Sequence, residues 1–203
     1  MLLFLKVELA KTNHTEEFNM LETLLAHHCA PAFAGIKPAN LAAFQKSCFP
    51  DLKDELKRLN SELNGKGIYI EILHECEKRA LVMVYRKNVL EKHLRLYNNR
   101  AFLARYGYPG NGSFADYLGI LKKRLDCENF PHEIGVFLGY PLHDIYCFIA
   151  HRDEGCILAG EWKVYRNAEE AKKLFCRFKA CRTALVKHIT SGGKTLAQIF
   201  CAA

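Results

Sequence analysis

A thiol and two imidazoles stand side by side near the start of the chain, in the segment His27-His28-Cys29-Ala30-Pro31. Histidine next to cysteine can supply the base that forms a nucleophilic thiolate, or a second ligand when the thiolate binds a metal ion. Glu16–His28 carries apolar residues at helical spacing, and we predict that this helix ends near Cys29-Ala30-Pro31, because proline disfavours helix in the residue before it. The alternative is a buried cysteine flanked by surface histidines, a common use of free cysteine.

A second candidate lies in Phe130–Pro141, which contains histidine, glutamate, glycines and aromatic residues in one short stretch. His132 and Glu133 follow a proline at the predicted start of a short helix, where the helix dipole favours a carboxylate. The pair could perform acid–base chemistry, or bind a metal ion together with a distant third ligand. No second histidine follows at the spacing of the H-E-x-x-H zinc motif, so a metalloprotease helix is excluded. The alternative is a tightly packed helix whose first turn is capped by His132 and Glu133.

Composition and charge restrict the class of protein. The chain has 203 residues, a net charge of +7 and 50% hydrophobic residues, as expected of a globular domain. Lysine and arginine are spread along the predicted helices without a polybasic run, which disfavours nucleic-acid binding. No stretch reaches the ~20 apolar residues of a membrane-spanning helix. Nine cysteines without a C-x-x-C pair fit free thiols better than a disulfide framework or a zinc ribbon. We therefore predict a soluble, cytoplasmic protein without a membrane partner.

The spacing of apolar residues predicts helices around a small sheet. Residues 68–72 alternate between apolar and polar, and Ala80–Tyr85 is a continuous apolar run, so we predict an antiparallel hairpin whose second strand is central. Glu161–Tyr165 is predicted to be a strand that returns to this sheet, and Phe33–Phe44 to form short extended pieces and turns. Helices are predicted at residues 50–63, 90–104, 113–125 and 168–190, with two short helices in 130–151 joined at Gly139-Tyr140-Pro141.

These elements predict the α+β fold class. We expect a helix-rich single domain at residues 21–203, built around a small and largely antiparallel sheet. Residues 1–20 are predicted to be an N-terminal extension or a leading strand.

Three segments together resemble one protein family. They are His28-Cys29-Ala30-Pro31 with Ala34-Gly35-Ile36-Lys37, the motif FPHEIGVFLGYP at Phe130–Pro141, and Trp162-Lys163-Val164-Tyr165. From about residue 22 to residue 200, the chain is similar to a bacterial family known as domain of unknown function 3793, found largely in anaerobic Gram-positive bacteria. Ala32-Phe33 departs from the family pattern, where Thr-Leu is expected, and this removes a hydroxyl next to Cys29. The resemblance implies no established activity.

The first functional hypothesis is a binding protein for a metal ion, a cofactor or a small ligand. The metal would be held by His28, Cys29 and His132. The residues that would contact a small ligand are His28, Lys37, Tyr140 and Trp162. The identity of any cofactor is left unknown, and so is the oligomeric state.

Two further hypotheses remain open. One is a hydrolase or transferase in which Cys29 is the nucleophile and His132 is the base, oriented by Glu133. The other is a non-catalytic interaction domain in which both motifs are structural. We favour the binding protein, and we expect Cys29 and His132 to meet in one pocket.

Overall fold

The computed structural model describes residues 14–127 and 129–201 of the chain. Its helices are α1 (His14–Phe33), α2 (Leu52–Leu63), α3 (Lys87–Leu94), α4 (Tyr97–Ala104), α5 (Phe114–Leu125), α6 (Ile134–Phe137), α7 (Leu142–His151), α8 (Ala168–Thr190) and α9 (Leu196–Cys201). Its strands are β1 (Ala39–Gln45), β2 (Ile68–Glu75), β3 (Arg79–Arg86), β4 (Leu158–Ala159) and β5 (Lys163–Val164). Helices around a small antiparallel sheet confirm the predicted α+β class.

β3 is the central strand of a three-stranded antiparallel sheet with the order β1-β3-β2. Successive side chains of a strand point to opposite faces of the sheet, so β3 contributes to two cores. Val82 and Val84 enter the core formed with α1, α2, α8 and α9, whereas Met83 and Tyr85 enter the core formed with α3 to α7. A strand buried on both faces needs apolar residues at every position, which explains the run Ala80–Tyr85. The predicted hairpin is therefore confirmed.

β1 forms the second edge of the sheet. Turns at residues 34–38 and extended backbone from Ala39 agree with the prediction for Phe33–Phe44, but the extended part is one seven-residue strand rather than short pieces. The strand pairs with β3 along its whole length, from Ala39 opposite Tyr85 to Gln45 opposite Arg79. Its sequence ANLAAFQ has no β-branched residue and is rich in alanine, so its intrinsic preference for a strand is weak. Pairing with β3 and burial of apolar side chains in the core supply the stabilisation that the local sequence lacks.

α1 continues through Pro31 and ends at Phe33, two residues beyond the end predicted at or near Cys29-Ala30-Pro31. Pro31 lacks the N–H that would donate to the carbonyl four residues earlier, and only two residues of helix follow it. The side-chain oxygen of Asn40 accepts the Ala32 N–H at 3.1 Å, and the Pro31 carbonyl accepts the Lys37 N–H at 3.1 Å. Cys29 consequently lies inside a helix rather than in a turn.

The segment around Trp162 does not return to the main sheet, which corrects the prediction for Glu161–Tyr165. β5 pairs with β4 in a separate two-stranded ladder, and we call residues 158–164 the β4–β5 hairpin. Asp144 on α7 accepts the Tyr165 N–H at 2.8 Å. The ladder of the hairpin consists of two residue pairs, which hold it weakly. The bond from Asp144 to Tyr165, the residue that follows the hairpin, therefore helps to anchor the hairpin to α7.

The structure describes part of the predicted N-terminal extension at residues 1–20. Residues 14–20 belong to α1, while residues 1–13 lie outside the described part of the chain. An extension or a leading strand in that range stays a prediction. Among the residues that the structure covers, no helix combines the length and the hydrophobicity needed to cross a bilayer.

Candidate functional site

Lys37 places a charged side chain inside the protein just after α1 ends. The residue is 4% exposed, and its Nζ atom lies 5.1 Å from the ring centroid of Tyr140 and 5.7 Å from that of Phe178. Within residues 14–127 and 129–201, no hydrogen bond or ion pair engages this ammonium group. Aromatic faces attract a cation, but they do not replace the oxygen acceptors that its N–H groups require.

A close backbone contact brings Tyr140 to Lys37. Gly139, in the turn between α6 and α7, has a φ angle of 72°, and a Cβ atom there would lie 2.6 Å from Cδ of Pro38. Only glycine allows this turn to approach Pro38, the neighbour of Lys37. The predicted joint at Gly139-Tyr140-Pro141 between two short helices is thus confirmed, and it positions an aromatic ring.

Trp162 on the β4–β5 hairpin extends the aromatic wall. Its ring lies 5.2 Å from that of Tyr140, measured between centroids, and meets Phe175 edge to face at 4.7 Å. Its Nε1–H donates to the Asp144 carboxylate at 2.8 Å, and Asp144 is 2% exposed. Asp144 therefore fixes the orientation of the indole, because it binds both this N–H and the Tyr165 backbone.

An ion pair completes the surroundings of Lys37. Arg182 on α8 donates to both carboxylate oxygens of Glu161 on the β4–β5 hairpin. Both side chains are largely shielded from solvent. We call the following residues the Lys37 cluster: Lys37, Tyr140, Glu161, Trp162, Phe178 and Arg182.

The cluster changes the ionisation of its lysine. Burial, opposed by the Glu161 carboxylate, lowers the pKa of Lys37 from 10.5 to about 8. At this pKa, roughly one molecule in ten carries a neutral amine at neutral pH. Lys37 can therefore act as a fixed cation in most molecules and as a free amine in the rest.

Cys29 and His28 lie beside the cluster on α1. Burial raises the pKa of the Cys29 thiol to about 12, although the positive charges of Lys37 and Arg182 act in the opposite direction. A thiol with this pKa is protonated at neutral pH, which opposes the nucleophilic role predicted for it. His28 is half-buried, and its pKa is lowered by burial, by His27 and by Arg182.

His132 and Glu133 have different neighbours. Glu133 is 1% exposed and pairs with Arg124 on α5. The His132 ring packs on Phe148, and its Nε2 atom faces the Arg152 guanidinium. No hydrogen bond joins His132 to Glu133 among the described residues, so the orienting role predicted for Glu133 has no support in the geometry.

The predicted metal site also lacks support. In the part of the chain that the structure describes, no group of three or more His, Cys, Asp or Glu side chains could hold a metal ion. His28 and Cys29 have α1 and α8 as their surroundings, whereas His132 contacts Phe148 on α7. No described contact joins Cys29 to His132, and their meeting in one pocket stays a prediction.

Of the ligand residues predicted from the sequence, Lys37, Tyr140 and Trp162 lie together in the structure. Sequence reasoning missed Glu161 and Arg182. A signal was available for Arg182, which follows Phe178 by one helical turn and therefore lies on the same side of α8. Glu161 had no signal beyond its position next to Trp162.

The family comparison covers the segments that build this site. The family described as Protein of unknown function (DUF3793) matches residues 25–200, which include all residues of the Lys37 cluster. No curated protein and no solved structure matches the chain. The chain therefore belongs to the DUF3793 family of proteins of unknown function.

Proposed function

We propose that this protein binds a small anionic molecule at the Lys37 cluster. The observation that carries the proposal is an ammonium group, in a residue 4% exposed, that has aromatic faces around it and no acceptor among the described residues. An ammonium group in a largely buried residue loses much of its hydration, and no carboxylate of the described residues pairs with it to offset that loss. A carboxylate or a phosphate would supply the acceptors and neutralise the charge.

The charges and rings of the cluster restrict the ligand further. Arg182 already shares its charge with Glu161, so a protonated Lys37 leaves an excess of one positive charge. Tyr140 and Trp162 offer neighbouring aromatic rings, which favour a flat organic group. The cluster therefore suits a carboxylate or a phosphate ester on a small, flat molecule.

Movement of an element that covers Lys37 would widen the access of a ligand to its ammonium group. The β4–β5 hairpin is the best candidate, because its own ladder has two residue pairs. Its side-chain anchors to the helices are the bonds of Trp162 and Tyr165 to Asp144 and of Glu161 to Arg182. Elements with few backbone hydrogen bonds open at low free energy. We expect ligand binding to change the environment of Trp162.

Fluorescence tests this proposal directly, since Trp162 is the only tryptophan in the chain. Titration with phosphate, pyruvate and benzoate should alter Trp162 emission in at least one case. Lys37→Met should abolish the change, because the cation is lost. Lys92→Met removes an exposed lysine on α3 and is the matched control, which should bind like the wild type. Full affinity in Lys37→Met, or no response to any of these anions, would overturn the proposal.

An enzymatic role is a second candidate, and it uses the amine rather than the Cys29 thiol. The neutral form of Lys37 can attack a carbonyl carbon, so that a C=N bond forms and the carbonyl oxygen leaves as water. Borohydride added with pyruvate would reduce this imine to a stable amine, and peptide mass spectrometry would locate it. Absence of a modification at Lys37 would exclude this chemistry for pyruvate, with Lys37→Met as the blank.

A further inference from the structure

A groove runs between α2 and α5 along the outer edge of β2. Its cavity volume is about 700 Å³, and α2 and α5 form its walls. Pockets that bind small organic molecules have volumes of roughly 300–1,000 Å³. We call this cavity the α2–α5 groove; its apolar lining includes Leu56, Ile70, Ile72, Phe114 and Leu118.

The floor of the groove continues into an aromatic pair. Tyr69 and Tyr85 stack with their ring centroids 5.5 Å apart and an angle of 12° between the planes. Both rings line the cavity together with the apolar side chains of both walls. A flat apolar group could therefore lie against the two tyrosine rings and between the apolar side chains of α2 and α5.

Lysines surround the α2–α5 groove. They are Lys53 and Lys57 on α2, Lys87 at the start of α3, and Lys122 on α5. Glu71 is the acidic residue that lines the groove, and its Oε1 atom accepts a hydrogen bond from Nζ of Lys122 at 2.5 Å. Lys53 pairs with Glu75 at 2.9 Å. Lys57 and Lys87 are exposed and form no ion pair with any described residue, so the groove keeps an excess of positive charge.

The Asn60 side chain occupies the backbone hydrogen-bonding groups of Ile70 at the edge of β2, next to the groove. Its Nδ2 atom donates to the Ile70 carbonyl at 2.7 Å, and its Oδ1 atom accepts the Ile70 N–H at 2.9 Å. A peptide that added itself to the sheet would need these same backbone groups. The edge is therefore poorly suited to a protein strand, whereas a small molecule needs no backbone ladder.

We propose that the α2–α5 groove is a second binding site, for a small anionic molecule whose apolar body lies against β2 and α5. Lys57 and Lys87 pair with the anionic group, and the aromatic floor covers the body. No residue of the Lys37 cluster lines this groove, so the two proposed sites can be tested independently of each other.

Gly119 on α5 offers a clean way to fill the groove. It lines the cavity, and a Cβ atom at this position would meet no other atom within 4 Å. Gly119→Phe should project a ring into the groove without disturbing the fold, since glycine is a poor helix former. Gly119→Ala is the matched control, because it makes the same backbone change and leaves the groove open.

The test uses anilinonaphthalene sulfonate, a fluorescent dye that combines an aromatic body with an anionic group. Dye binding is measured in the Lys37→Met background, which removes the anion site proposed at the Lys37 cluster. Gly119→Phe should weaken binding by at least about tenfold, whereas Gly119→Ala should not. Lys57→Glu with Lys87→Glu should weaken it as well, while the same charge change at the exposed α8 lysines, Lys179→Glu with Lys187→Glu, should have little effect.

Competition then identifies the anionic group. Displacement of the dye by adenosine triphosphate assigns a phosphate ligand, and displacement by decanoate assigns a carboxylate. Absence of dye binding, or binding that Gly119→Phe leaves unchanged, would overturn the proposal. Failure of both competitors would overturn it too, and displacement by polyglutamate would then assign the groove to an acidic protein segment.

Discussion

The Nζ atom of Lys37 lies 5.1 Å from the centre of the Tyr140 ring, and this contact joins two segments that are far apart in the chain. Trp162, from a third segment, packs against the Tyr140 ring. These are the segments on which the resemblance to the family depends. The three segments thus meet in one buried cluster.

Replacing Lys37 by methionine should stabilise the protein near neutral pH by up to about 3 kcal/mol, because a buried charge is removed and the volume is kept. Burial lowers the pKa of Lys37 to about 8, so the folded protein binds this proton more weakly than the unfolded chain does. The stability of the wild type should therefore rise as pH increases from about 8 towards 10.5.

Urea unfolding of both proteins at several pH values checks this expectation. The advantage of Lys37→Met should shrink across the same pH range. Both proteins carry Cys29→Ala in this experiment, because the pKa of the Cys29 thiol depends on Lys37. Lys92→Met, at an exposed position on α3, should stay within about 0.5 kcal/mol of the wild type. A pH-independent advantage of Lys37→Met would contradict the burial of a charged amine.

Gly139→Ala should destabilise the protein by about 2–5 kcal/mol, through backbone strain and a clash with Pro38. The matched control is Gly155→Ala, since Gly155 has a similar φ of 73° but open space around it. The control should cost only the backbone strain, about 1–2 kcal/mol. Thermal unfolding measures both, and equal losses would show that the contact with Pro38 carries no energy.

Asp144→Ala should cost about 2–4 kcal/mol, because the Trp162 indole and the Tyr165 backbone lose their acceptor. Trp162 emission should shift to longer wavelength as the β4–β5 hairpin leaves α7. Asp153→Ala removes an acid that is 68% exposed and pairs with Lys163 on the same hairpin. This control should cost about 0.5 kcal/mol or less, and an unshifted Trp162 spectrum in Asp144→Ala would argue against the anchoring role.

Glu22→Gln should be at least as stable as the wild type near neutral pH. Burial raises the pKa of Glu22 above 4.5, so the folded protein holds this proton more tightly, and stability falls as pH rises through the interval between the two values. Glutamine has no charge to bury and can still accept the Leu196 N–H. Unfolding free energies should therefore converge below about pH 4.5.

Glu22→Ala provides the contrast. It removes the acceptor as well as the charge, and should cost about 1–3 kcal/mol near neutral pH. Equal stabilities of the two variants would indicate that the bond to Leu196 contributes nothing.

Predictions from the sequence succeeded where local pattern and tertiary structure agree. The hairpin follows from the alternation in residues 68–72 and the apolar run Ala80–Tyr85, because burial on one or both faces selects those patterns. The helix predicted at residues 113–125 is present as α5, and Ser113 caps it with a reciprocal bond to Asp116. β1 could not be predicted in this way, because alanine-rich ANLAAFQ becomes a strand only through its pairing with β3.

The candidate site shows the same division. Residue types identified Lys37, Tyr140 and Trp162, since ammonium and aromatic groups bind ligands by their chemistry. The partnership of Cys29 with His132 rested on chemistry alone, and it found no support because the fold gives the two residues different neighbours. The pairing of Arg182 with Glu161, which lie 21 residues apart, follows only from the packing of α8 against the β4–β5 hairpin.

The bond from the Leu196 N–H to the buried Glu22 carboxylate spans 174 residues of sequence. During synthesis α1 leaves the ribosome long before α9 exists, so Glu22 has no backbone donor until Leu196 has been made. We therefore expect this domain to complete its folding only after α9 has left the ribosome. Nascent chains stalled before Leu196 should stay sensitive to protease, whereas the released protein should resist it.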